Sequence, residues 1–229
     1  ILPNWIAPSV VPLFGLMTVY FYGQWATNRR VIKPLFTVGL CFGLFAVVLL
    51  HETNLTSKLF GRTLPAQIDP LRRVRAWEDT AKAVESARKK LAEEGKFTFI
   101  IGVHYGITGE MSFYLPEAKK QIKDHPLVFY RTSSHPKNQF YFWPGYESRK
   151  GQNAIYVQQV DLPKLERGWL GQWLAGKNNL EAASVLKPNV PPKEIQEQFA
   201  SVKDLGITEI SYRKRVFRRV QIFECRDLQ

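Results

Sequence analysis

The stretch FTFIIGVHYGITGEMSFYLPEAKKQIKDHPLVFYRTSSHPKNQFYFWPGY, Phe97–Tyr146, decides how the chain is read. Phe97 to Ile101 is β-branched and aromatic, the composition of a buried strand. Gly102 ends it, and Gly106 and Gly109 punctuate the passage into a short helix expected over Gly106–Tyr114. Leu127 to Tyr130 repeats the strand signature after the His125-Pro126 turn. Two polar loops, at His104-Tyr105 and Arg131–Gln139, thus follow two consecutive strands. In open α/β sheets that edge is where ligands sit.

Working outward, Glu78–Glu94 reads as an amphipathic helix with Ala81, Val84, Ala87 and Leu91 on one face. Arg88, Lys89 and Lys90 are expected on its other faces, and Gly95 closes it. Downstream, Asn153–Gln159 is a strand pattern. Pro163–Val190 places Trp169, Leu170, Trp173 and Leu174 at helical spacing, suiting an interfacial helix, a packed lid or a core-facing helix. Pro191-Pro192 opens a short helix running to Ala200. Ser201–Leu205, Thr208–Arg213 and Arg215–Cys225 read as strands. The expectation for residues 77–229 is therefore an α/β soluble domain whose mixed sheet has an antiparallel C-terminal edge.

Residues 1–52 differ in kind. Trp5–Ala26 contains no charged residue, and Pro34–Leu50 is a second uncharged run rich in Leu, Phe and Val. Each approaches the roughly 20 residues that cross a bilayer. Thr27-Asn28-Arg29-Arg30 separates them, with Lys33 close by, so the segment is expected to be a two-helix transmembrane hairpin. A cleaved signal peptide would have one apolar core rather than two. Arg29 and Arg30 assign the short loop to the cytoplasm, which puts everything beyond Glu52 outside it. Pro8, Pro12 and Gly15 suit a span against which further helices pack. That, and the start at Ile1 rather than Met, raise the expectation of a processed chain or a fragment. Residues 53–76 form a basic juxtamembrane connector whose Arg72, Arg73 and Arg75 suit anionic headgroups or simple solvation.

The chain carries 32 basic and 20 acidic residues, a net charge of +12. Such a balance points to anionic partners or to solubility beside an anionic membrane. Cys41 and Cys225 make no disulfide framework, and the four histidines show no metal-ligand spacing. The Gly102, Gly106, Gly109 pattern is neither a Walker A loop nor a dinucleotide fingerprint, so no nucleotide site is expected. Ser133-Ser134-His135 is too local to form a triad, and no GxSxG elbow is present. Phe140 to Trp143 could stack on bases or sugars. Outside the cytoplasm, sugar or lipid phosphate fits better than nucleic acid.

Three segments together resemble a known family. Pro3-Asn4-Trp5-Ile6-Ala7-Pro8 is similar to the NWPAP-like segment of bacterial membrane glycosyltransferases related to family 39. Tyr105–Pro116 (YGITGEMSFYLP) resembles the YxxAxxLxFYLP-like segment of their C-terminal domain. Asn138–Gly145 (NQFYFWPG) resembles its NQY/F-DLWPG segment. The family includes dolichyl-phosphate-mannose mannosyltransferases and lipid A aminoarabinose transferases. Its GT-C architecture has many transmembrane helices, and bacterial members often end in an outward-facing soluble domain.

The resemblance implies sugar transfer from a polyprenyl-phosphate donor to an envelope lipid, glycan or protein, at the outer face of the bacterial inner membrane. This chain would be the C-terminal portion, with its soluble domain in the periplasm and further transmembrane helices on its N-terminal side. The family's acidic catalytic motif lies in an early external loop, so no catalytic residue is assigned within these 229 residues. The sequence departs from the pattern at Ile6, at Glu117–Lys120 and across Pro163–Val190. Tyr105, Glu110, Arg131, Asn138, Gln139 and Trp143 are expected to shape the soluble face of the site or to support its fold. Arg131 could contact phosphate through its planar fork or be solvated, and Asn138 and Gln139 suit loop-supporting roles. The other reading is non-enzymatic: a membrane-anchored α/β domain that binds envelope glycans, lipids or a protein partner.

Overall fold

The computed structural model describes residues 7–26, 30–120, 126–133, 139–177, 180 and 189–229. The chain divides into two compact units, Ile1–Leu55 and Thr56–Gln229. In the first, α1 (Ala7–Ala26) and α2 (Ile32–His51) are each 20 residues long. Pro12 lies inside α1. Phe21 meets Phe36 at 5.2 Å between ring centroids, and the Lys33 ammonium lies 5.3 Å from the centre of the Trp25 ring. Ile32–Leu49 is long and apolar enough to cross a membrane, with a mean hydropathy of 2.1.

A short helix, α3 (Asn54–Phe60), leads to the second unit, which is built on five strands. These are β1 (Thr98–Gly102), β2 (Val128–Tyr130), β3 (Asn153–Val160), β4 (Phe199–Tyr212) and β5 (Arg215–Leu228). Their spatial order is β2-β1-β3-β5-β4. β1 pairs in parallel with both β2 and β3, whereas β5 runs antiparallel to β3 and β4. The unit is thus α/β with a mixed sheet, and its C-terminal ribbon is antiparallel.

Both faces of the sheet are covered. On one, α4 (Trp77–Ala92) and α5 (Tyr105–Tyr114) pack Val84, Leu91, Ile107 and Met111 onto Ile100, Ile155, Val157 and Ile222. On the other, Ile195 of α8 (Lys193–Gln198), which follows α6 (Pro116–Lys120) and α7 (Trp169–Leu174) in the chain, joins Tyr146, Phe199, Phe99, Tyr156 and Phe223. Each such side chain, fully buried, contributes about 1.5–3 kcal/mol. Coverage of both faces explains why β3 is buried almost throughout, as parallel strands are.

Two expectations need correction. The strands expected at Ser201–Leu205 and Thr208–Arg213 are not separate but fall within the single β4, which ends at Tyr212. The pairing shifts between Asp204 and Ile207, where one extra residue bulges out. Gly206 adopts φ +88° there and donates its N–H to Asp204 Oδ1 at 2.7 Å. The glycine signal marks a bulge, not a chain break. Arg88 does not sit on a solvent face of α4 either. Position 88 continues the stripe of Trp77, Ala81, Val84 and Leu91, so it is buried. It pairs with Glu85 at 2.8 Å and Glu117 at 2.5 Å and donates to the Thr98 carbonyl.

The end of β1 is tightly constrained by α5. A Cβ added to Gly102 would lie 2.5 Å from Thr108 Oγ1 and 3.0 Å from the Thr108 backbone nitrogen. Gly102→Ala must therefore push α5 off the strand end and should destabilise the protein by about 1–3 kcal/mol in equilibrium unfolding. A loss under about 0.5 kcal/mol would contradict that close approach.

Candidate functional site

Because β1, β2 and β3 are parallel, their C-terminal ends share one edge, and the two polar loops emerge there together. Val103 donates to the Val157 carbonyl at 3.1 Å, holding the chain in line as it leaves β1. His104 is extended and caps α5, its Nδ1 accepting the Gly106 N–H at 3.1 Å. An accepting Nδ1 requires the neutral ring, and burial pushes the His104 pKa down, which keeps it so. At the end of β2, Arg131 donates its backbone N–H to the Gly102 carbonyl at 3.2 Å.

An aromatic ladder crosses the gap between the loops. The His104 ring lies 4.0 Å from Tyr105, and Tyr105 stacks on Phe140 at 4.7 Å with only 12° between planes. Phe140 meets Trp143 edge-on at 5.1 Å, and Tyr130 flanks both Phe140 and Tyr141. Phe140 belongs to a single 3₁₀ turn, Gln139–Phe142, which turns the segment back over the edge. Tyr105 and Trp143 are exposed, so the ladder presents open aromatic surface. A cleft of about 490 Å³ runs beside it, between α5 and the free edge of β2, with Ser112, Tyr130, Trp143 and Pro144 among its walls.

The remaining sequence candidates do not all join this ladder. Gln139 is exposed at the start of the 3₁₀ turn. Asn138 lies outside the described residues. Arg131 is half-buried and donates to the Tyr141 hydroxyl. Among the described residues its Nε and the hydroxyl of the buried Tyr156 are enclosed without hydrogen-bond partners. Tyr156 packs with the aromatics on the α8 face. Glu110 lies on the α4 face, where burial raises its pKa and the charge of Arg218 draws it back. The sheet therefore separates Glu110 from Arg131, and they do not form one acid–base or anion site.

Three features escaped the sequence reading. Thr132, Tyr146 and Gln198 close a ring of hydrogen bonds. Tyr146 donates its hydroxyl to Gln198 Oε1 at 2.6 Å, and Gln198 Nε2 donates to Thr132 Oγ1 at 2.9 Å. The Thr132 and Tyr146 hydroxyls lie 3.1 Å apart. This ring pins the loop after β2 to α8, and no local motif announces partners so far apart in sequence. Arg218, buried on β5, is the second. Its signal was the broken alternation of Arg218-Arg219 within an apolar strand. The third, Phe140, was visible only as one aromatic of a run.

Among the described residues no group of His, Cys, Asp and Glu could hold a metal ion. Cys41 and Cys225 are both free thiols. The arrangement offers stacking surface for a flat or sugar-like group and hydrogen bonds beside it. No family model, curated protein or solved structure matches the chain.

The ladder depends on the Tyr105–Phe140 stack. A double-mutant cycle with Tyr105→Ala and Phe140→Ala, read by equilibrium unfolding, should return a coupling of about 0.5–1.5 kcal/mol. Coupling near zero would mean that the two loops fold independently.

Proposed function

We propose that the chain is the C-terminal portion of an integral membrane glycosyltransferase. The enzyme moves a sugar from a polyprenyl-phosphate donor to an envelope lipid, glycan or protein. In this reading α1 and α2 form a transmembrane hairpin in the bacterial inner membrane, with Arg29 and Arg30 on the cytoplasmic side. The α/β unit stands in the periplasm. There the ladder of Tyr105, Phe140 and Trp143 forms part of the outer wall of a sugar-transfer site.

One observation carries the reading. The two segments of the α/β unit that resemble the family, YGITGEMSFYLP and NQFYFWPG, lie apart in sequence, yet Tyr105 of one stacks on Phe140 of the other. Segments that serve one purpose are expected to meet, and these meet at the edge where α/β sheets bind ligands. Exposed aromatic rings suit the apolar faces of sugars. The apolar length of α2 supports the membrane assignment.

The chemistry is assigned to residues beyond this sequence. A carboxylate in an external loop would act as general base on the acceptor nucleophile. Tyr105, Trp143 and Arg131 would shape the site from outside the membrane, while Glu110 and Gln139 support the fold around it. The coding sequence upstream of Ile1 tests this most cheaply. About ten further apolar spans, with an acidic pair after the first, are expected. A start codon at Ile1 would contradict the proposal and favour an anchored binding module instead.

A further inference from the structure

Cations gather at both ends of the sheet. At the N-terminal edge of the parallel strands, Arg226 pairs with Glu94 at 2.7 Å and Glu224 at 2.8 Å, and Lys96 pairs with Asp227. At the opposite edge, Arg75 and Arg219 meet Asp69 and Glu209. Arg72, Arg73, Arg213, Lys214 and Arg215 form no ion pair there among the described residues. These five cations, without an ion pair among the described residues, share the edge that also bears the aromatic ladder.

The tip of the β4–β5 ribbon makes this concentration more pointed. Tyr212 pairs with Arg215, so Arg213 and Lys214 alone form the turn. Their φ angles are +49° and +66°. Two-residue turns of this hand favour Asn-Gly, because the left-handed region is strained for other side chains. Strain that persists in a structure points to function. Here it holds two cations at the extreme tip of the edge.

Apolar surface is also exposed on the segment that leaves β3 at this edge. The helix α7 (Trp169–Leu174) follows β3, and its Leu170 and Leu174 are 52% and 55% exposed, one turn apart. Its Trp173 is buried instead and donates its indole N–H to the Thr63 carbonyl at 3.0 Å. The strand of chain that follows α2 and α3 runs along this same edge. Gln67 donates to the Pro163 carbonyl at 2.9 Å, and Arg218 donates to the Arg72 and Arg75 carbonyls at 3.1 Å.

The geometry points to this edge as a docking surface for anionic phospholipid headgroups. The Arg213–Arg215 tip and Arg72-Arg73 face lipid phosphates, and Leu170 and Leu174 of α7 enter the acyl boundary. An edge that exposes leucines as well as cations without an ion pair fits a bilayer surface better than a soluble polyanion, which offers nothing apolar. The inference rests on the membrane assignment above but not on sugar transfer.

The test uses the full chain in nanodiscs of phosphatidylcholine with or without phosphatidylglycerol, read by hydrogen exchange over residues 169–174 and 211–216. Exchange should slow only with the anionic lipid. R213N/K214G restores the relaxed turn, so it should unfold at no lower temperature. Loss of two charges should nevertheless reduce the docked-to-free ratio roughly 30-fold. Equal exchange in both nanodiscs would overturn the inference, as would unchanged protection in R213N/K214G. In the full-length protein, docking without sugar transfer would support this surface and refute the enzyme. Transfer without docking would do the reverse.

Discussion

The architecture of the α/β unit depends on Arg218. Its guanidinium lies 3.5 Å from the centre of the Trp77 ring, an arrangement that attracts a cation electrostatically. It donates to the carbonyls of Arg72 and Arg75 and to Gln159 Oε1, and its charge reaches Glu110. One side chain thus ties β5 to β3, to the chain before α4, to the first residue of α4 and to α5. Burial, with Arg72 close by, lowers its pKa to about 10, and Glu110 draws it back up. A cation so enclosed is costly unless its donors are used. The backbone carbonyls at 72 and 75 therefore have to stay where they are, and the connector becomes a fixed part of the unit.

That constraint explains how the edge is composed. Fixing the connector beside β5 places its basic residues next to the β4–β5 tip. The parallel pairing of β1, β2 and β3 sends the two candidate loops to the same edge. Aromatic residues occupy its β1–β2 half and cations its β5–β4 half. Glu110 is drawn to Arg218 on one face and Arg131 lies near Tyr156 on the other, so the two do not form one acid–base pair at this edge.

Much of this was legible in the sequence. Phe97–Ile101, Leu127–Tyr130 and Asn153–Gln159 carry strand composition, and the helix over 78–94 carries its period plainly. The mixed sheet followed from helix-separated strands succeeded by a strand-only C-terminal run. Less legible were features set by distant partners. A bulge and a chain break look alike around Gly206 until the register against β5 is known. Arg88 reads as solvent-facing by residue type, although its spacing from Leu91 and Val84 already put it on the core stripe. Tyr105 and Trp143 could be picked out locally, but that Phe140 would join them depends on how the chain returns over the edge.

The central claim joins this edge to sugar transfer at a membrane. It is tested most directly in vesicles carrying the full-length protein, supplied with labelled polyprenyl-phosphate sugar and envelope acceptors. The account predicts transfer by the wild type and a lower kcat/KM in Tyr105→Ala at unchanged membrane insertion. A correctly inserted wild-type protein that transfers no sugar from any such donor would contradict it.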